Sequence, residues 1–361
     1  MTSKKREASM EAIKEPDWNT VGILGAARGA KSNDGAAIGT EHLLAGITTA
    51  KGPAREALAH EGATKTALLA VLRDRKDRDG AWSGADDAEG SVAAQDVLGE
   101  DGERDGRLTG AAARALTAAM GQAQREGAAK FGAVHLLRAL LEEDNRAVEL
   151  LGVCGISPQA VLVRLDGGSG GSGGEEEGLN PLLHATRDVL LGRSSYRHMS
   201  FWKRWLIKKA GINLASKPAW WVGLETYEQA RRLGDSAVGT EHVLLAILAT
   251  HEVALRYPHL AGESAPVPDT RYTGGERLAR LGLDYASVHS ALTSERVRLT
   301  ADVRPAKQYI DEAASPSTVS SADSDGESIA DPGTGPLVET LLGEETRARQ
   351  LINALTATPG D

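Results

Sequence analysis

Apolar positions along the chain recur at the spacing of amphipathic helices and gather into three similar blocks. Each block opens with an Ala-rich amphipathic stretch: NTVGILGAARGAK, GAAARALTAAMGQAQREG and LETYEQARRLG. A tight turn then leads into a Leu-rich run. Two short apolar stretches close each block, as in PAREALAHEGATKTALLAVLRDR, RAVELLGVCGISPQAVLVRL and RLARLGLDYASVHSAL. Gly62, Gly152 and Gly282 fall between the closing stretches, where a glycine ends a helix. No run alternates with the period of a strand. The pattern predicts an all-α fold of short helices.

The turns repeat almost letter for letter. IGTEHLLAGI (38–47) returns as VGTEHVLLAI (238–247), and a worn copy, FGAVHLLRAL, occupies 131–140. The turn glycines at 39, 132 and 239 are unequally spaced, which means repeated units with variable inserts rather than a regular solenoid. The expected division is a disordered tail at 1–16, a double repeat over 17–166 (17–72 and 108–166) and a Gly/Ser linker at 167–178. A third unit then covers 179–300 with an insert at 192–223, followed by a disordered linker at 301–335 and a helical segment at 336–357. Residues 73–107, charged and Gly-rich, read as a mobile loop joining the first two units.

Composition narrows the function. Lys plus Arg is 41 against Asp plus Glu 50, and a net charge of −9 argues against bulk nucleic-acid binding. A single Cys154 permits no intrachain disulfide and fits a reducing cytosol. The start, MTSKKREASMEAIKEPDW, lacks the apolar core of a secretory signal, and no apolar run has membrane-spanning length. These features predict a cytoplasmic protein.

Within the turn, Gly39 supplies backbone freedom and Thr40 is suited to cap the following helix. Glu41 sits where the helix dipole favours negative charge, and it recurs as Glu241 beside Thr240. A cap needs only a polar residue, so the returning glutamate leaves room for a binding role. His42, His135 and His242 share one helical position without a second ligand at metal spacing, which favours a packed or capped histidine. GGSGGSGG formally contains GxGxxG, but no strand precedes it and EEE follows. With no GxxxxGK[ST], HExxH or GxSxG present, neither an enzyme nor a cofactor is predicted.

A unit of Ala-rich helix, [IV]GTEH[LIV]LL[AG][IL], a short gap and A-x-x-x-L-x-x-x-G, here Ala54, Leu58 and Gly62, resembles the Clp N-terminal repeat. That repeat stands as a tandem pair at the front of ClpA- and ClpC-type unfoldases. The resemblance implies pseudo-twofold modules of four-helix repeats, without an ATPase. It implies partners such as Clp unfoldase or protease components, adaptors, degron peptides and Clp-targeting cyclic peptides, with the chain as decoy or adaptor. It points to the surface around Glu41, Thr40, Thr109, Glu241 and Thr240. In ClpC-type members the turn glutamates grip the guanidinium of phosphoarginine and a threonine at the first helix holds its phosphoryl group. Here that pattern is only partly kept: the first unit has Glu41 but reads Pro16 where its first-helix threonine should fall, whereas the second unit keeps Thr109 but has Val134 for its glutamate.

The insert departs from everything around it. It holds Phe201, Trp202, Trp205, Trp220 and Trp221 together with Arg193, Arg197, Lys203, Arg204, Lys208, Lys209 and Lys217, and no acid. LNPLLHATRDVL reads as the start of the third unit's first helix, resumed only at Leu224. Three readings stay open: a hairpin packed on its own domain, a partner-docking arm with aromatic anchors, and a segment lying at a membrane surface.

Overall fold

The structure, a computed structural model, describes residues 15–31, 37–76, 82, 90–102, 106–168, 179–199, 202, 213–261, 270–294, 297–314 and 331–357. It is all-α, apart from one two-residue ribbon. The chain divides into two compact units, Met1–Ser172 and Gly173–Asp361.

Unit one holds two copies of a four-helix repeat. The first comprises α1 (Trp18–Ala30), α2 (Thr40–Ile47), α3 (Pro53–His60) and α4 (Lys65–Lys76). Between the copies lies α5 (Ala94–Leu98), and the second copy is α6 (Gly110–Arg125), α7 (Ala133–Glu142), α8 (Arg146–Val153) and α9 (Pro158–Leu165). In each copy the long first helix packs on the Leu-rich second one, and α2 also packs on α8. Ile23, Leu43, Leu44, Ile47, Leu116, Leu136, Leu140 and Leu150 are fully buried in one shared core.

Several expectations change at this level. The segment 73–107 is not wholly loop: β1 (Val92–Ala93) pairs antiparallel with β2 (Arg107–Leu108), and α5 buries Ala94 and Leu98. The second copy's helix stop is Gly155, with φ +71°, because Gly152 lies within α8. Glu15 and Pro16, expected in a disordered tail, form backbone contacts with Phe131. Residues 169–178 of the linker lie outside the described residues.

Unit two begins with α10 (His184–Leu190), an addition to the repeat, followed by α11 (Pro218–Leu233), α12 (Thr240–Arg256) and the short α13 (Pro258–Ala261). The repeat continues with α14 (Thr273–Arg280) and α15 (Tyr285–Thr293). The expected interruption of the first helix is thereby overturned. α11 starts at Pro218, where proline suits the first helical turn, and runs unbroken through Leu224.

A fourth copy of the repeat completes unit two: α16 (Ala306–Ala314), α17 (Gly335–Gly343) and α18 (Arg347–Thr356). The linker expected at 301–335 therefore contains a helix, held by the buried Ala306, Tyr309 and Ala313; residues 315–330 lie outside the described set. The equivalence of α17–α18 to α7–α8 rests on a shared junction. Asn145 caps α8 and donates from Nδ2 to the Leu140 carbonyl at 2.8 Å, while Thr346 caps α18 and donates from Oγ1 to the Leu341 carbonyl at 2.7 Å. α18 packs on α12 as α8 packs on α2.

Candidate functional site

The repeated turn works as a helix start with two side-chain devices. Gly39, not Thr40, is the cap residue, and His42 Nδ1 accepts the Gly39 N–H at 3.0 Å. His135 and His242 do the same for Gly132 and Gly239, at 2.9 and 3.0 Å. An accepting Nδ1 leaves the ring proton on Nε2 of a neutral imidazole. In two copies that nitrogen meets a carboxylate, Glu126 at 3.0 Å and Asp235 at 2.8 Å. The hydrogen bond from His135, with a second from Gln122, holds the Glu126 carboxyl below its ordinary pKa. The recurring histidine is accounted for by these caps.

Freed from capping its own helix, Thr40 serves another. Its Oγ1 accepts the Ala147 N–H at the start of α8, at 3.2 Å. Thr240 likewise accepts the Ala348 N–H of α18, at 3.0 Å. A buried hydroxyl thus satisfies an amide that a helix start leaves without an intrahelical partner.

Both turn glutamates are buried, at 2% exposure each, and fold back over the preceding glycine, where a Cβ would collide with the carboxylate. Each meets a guanidinium from the first residue of the helix that its threonine serves. Arg347 Nη1 lies 2.6 Å from Glu241 Oε1, and Arg146 Nη1 lies 3.7 Å from Glu41 Oε1. Burial raises the pKa of the Glu241 carboxyl above its ordinary value, against the pull of Arg347.

Backbone pairing decides which groups share a corner. Ile38, before the first turn, accepts the Thr109 N–H at 3.0 Å and donates to the Arg107 carbonyl at 2.8 Å. Reciprocally, Phe131 accepts the Asp17 N–H at 3.0 Å and donates to the Glu15 carbonyl at 3.2 Å. Each turn is therefore joined to the chain entering the other copy's first helix. Thr109 caps α6 beside the turn of Glu41, whereas Asp17 caps α1 beside the turn of Val134. The counterpart of Thr109 is thus Asp17 and not Pro16, since both are caps with an oxygen on the N–H three residues on. One corner keeps both the glutamate and the threonine; the other has neither.

In unit two the fourth copy's turn reads Gly333-Thr334-Gly335-Pro336. Thr334 Oγ1 accepts the Gly274 N–H of α14 at 3.1 Å, the same device from the opposite side, while Gly335 stands where a glutamate would. Asp302 ties the intact turn down. Its carboxylate accepts the Thr240 N–H (2.9 Å), the Thr240 hydroxyl (2.6 Å) and the Arg347 N–H (2.7 Å). Among the described residues, no backbone hydrogen bond joins Val238 to residues 303–306. An open groove of about 590 Å³ lies there, lined by Val238, Asp302, Arg304 and Arg347 among others.

The aromatic insert divides. Trp221 belongs to the core at 0% exposure, and its Nε1 donates to Tyr196 Oη at 2.8 Å. This overturns the expectation that it is a docking anchor. Trp202 is 71% exposed, Trp220 is partly exposed on α11, and Phe201 and Trp205 lie outside the described residues. Tyr196 also donates to Glu225 at 2.5 Å. Glu225, fully buried, further receives Thr186 Oγ1 (2.8 Å), Gln229 Nε2 (2.8 Å) and Arg232 Nη1 (2.9 Å). Burial, and then the Glu225 charge, push the Tyr196 phenol well above its ordinary pKa.

Residues 107–177 match the family model described as the Clp repeat (R) N-terminal domain. This segment is a Clp N-terminal repeat. No curated protein and no solved structure matches the chain. The match opens at β2 and takes in the whole second copy, α6 to α9. Outside this segment, Thr40 and Thr240 each give a hydroxyl to the start of a later helix, α8 and α18. A Clp repeat of this kind is a protein-interaction module of the Clp system.

Proposed function

We propose that the chain is a non-enzymatic, cytoplasmic recognition protein of the Clp protease system. It binds degron peptides, adaptors or Clp-targeting cyclic peptides as a decoy or adaptor, without an ATPase of its own. The observation that carries this reading is the corner of unit one. There a buried carboxylate, Glu41, and a capped helix start, Thr109, are joined by the Ile38 backbone inside a module containing a Clp repeat. A carboxylate pairs strongly with guanidinium, and a helix start with its threonine accepts anionic oxygens. In unit two Asp302 and Arg347 engage the Thr240 and Glu241 groups.

The test is calorimetric titration of phosphoarginine and of a Clp-docking cyclic peptide into the full chain. Glu41→Gln is expected to weaken phosphoarginine at least about tenfold, the order of a charge-assisted hydrogen bond at a buried site. Equal binding to that variant would remove the corner from consideration. A second reading, docking to a membrane or partner through the basic insert, is favoured only by the exposure of Trp202. It requires liposome co-sedimentation that is lost in Trp202→Ala.

A further inference from the structure

The two surviving turn glutamates are matched by two arginines at one position of the repeat. Arg146 and Arg347 each open the helix that follows the Leu-rich helix of a second copy. Twice, therefore, the chain places its own guanidinium on the turn carboxylate, which displays the seat's chemical preference without any ligand.

The two arginines meet their carboxylates through different contacts. In unit two the ion pair is a hydrogen bond of 2.6 Å. Its arginine backbone is fixed on Asp302 at 2.7 Å, and the next amide is fixed on Thr240 at 3.0 Å. In unit one the approach of 3.7 Å is a contact of charges beyond hydrogen-bond distance. The Arg146 guanidinium also lies 5.7 Å from the ring centre of Trp82, whose face is shared with Arg75 at 4.5 Å. Arg75 is itself tied to Glu149 at 2.6 Å.

We propose that Arg146 is an in-cis occupant of the Glu41 seat and decides which ligands the corner accepts, while Arg347 keeps the Glu241 seat shut. A ligand guanidinium enters only the fraction of molecules in which Arg146 has moved off the carboxylate. Its apparent affinity is reduced by that fraction. Ligands with a single weak cation are excluded, and those that add contacts at the Thr109 helix start gain enough to displace the arginine. The proposal rests on the reading of the Glu41 corner as a guanidinium site, and its test separates the two.

The full chain is titrated with L-argininamide and with phosphoarginine as wild type, Arg146→Gln, Arg347→Gln and Arg146→Gln/Glu41→Gln. Arg146→Gln is expected to tighten both probes about tenfold, as for a seat otherwise competent about one-tenth of the time. The gain should vanish in the double variant. An unchanged or weaker affinity in an Arg146→Gln protein with wild-type helicity and melting would overturn the proposal. Should no form bind either probe, the guanidinium reading of the corner falls. The in-cis seat is then judged on ligand-free protein, by proton exchange at the Arg146 guanidinium observed by NMR. Exchange at least about fivefold faster in Glu41→Gln supports the seat, and equal exchange overturns it.

Discussion

The helices that open the repeat in each unit, α1 and α11, are buried differently. α1 buries one stripe, Thr20, Ile23 and Ala27, and leaves Trp18 and Val21 exposed on its outer side. α11 is covered on both sides, because residues 179–199 add a second wall. A polar group buried under such a wall must find a partner. Glu225 and Gln229 meet that requirement through Thr186, Tyr196, Arg232 and Tyr285. The repeat therefore prescribes a helix and its contact with the next helix, while the opposite face is free to acquire a second layer.

The sharpest way to break this comparison is Glu225→Ala. Removing a fully buried carboxylate that receives four donors leaves the part-buried Arg232 guanidinium and two buried hydroxyls without that acceptor, at a cost of about 3 kcal/mol. Unit two should unfold early in thermal or urea denaturation, with proteolysis confined to residues beyond 173. A uniform loss of stability in both units would contradict the division of the chain near residue 172.

The threonines of the intact turns give a second test. Thr240→Val strands the Ala348 N–H and one Asp302 contact, and should cost about 2 kcal/mol. Thr40→Val should cost about 1 kcal/mol, because the Ala147 N–H retains Asn145 Oδ1 at 2.8 Å. Urea midpoints that reverse this order would show that these hydroxyls do not anchor the two corners.

Between these two effects in size comes a dependence on pH. Burial lowers the His259 pKa to about 4, so the folded unit binds this proton less readily than the unfolded chain does. Its contribution is complete above the ordinary histidine pKa of about 6.5 and is lost as pH falls towards 4. The ring is only partly buried, and the loss should be about 1–2 kcal/mol. His259→Gln is expected to flatten the stability of unit two over that range.

Much of the fold was legible. Helical periodicity and the IGTEHLL turn mark three copies, and glycine stops separate their closing helices. The fourth copy was hidden because two of the four turn letters had changed, to Gly335 and Pro336. Its surviving Gly333-Thr334 and the likeness of TRARQLINAL to NRAVELLGV were the signals available. The site was less legible than the fold. Which threonine stands beside which glutamate depends on pairing between Ile38 and Leu108, a contact across 70 residues that no local spacing expresses. Trp221 escapes a sequence reading for a similar reason, since its partner Tyr196 lies 25 residues away in the chain.

The reciprocal pairing in unit one has an evolutionary consequence. Ile38 meets β2 before α6 and Phe131 meets the extended residues 15–17 before α1, so the two halves contact each other as subunits of a twofold dimer do. In a dimer of identical chains, any substitution alters both sites together. Once the halves share one chain, they mutate separately. Val134 and Asp17 stand at one corner and Glu41 and Thr109 at the other. Two halves joined in one chain can thus carry one corner with a glutamate and a threonine and one corner with neither.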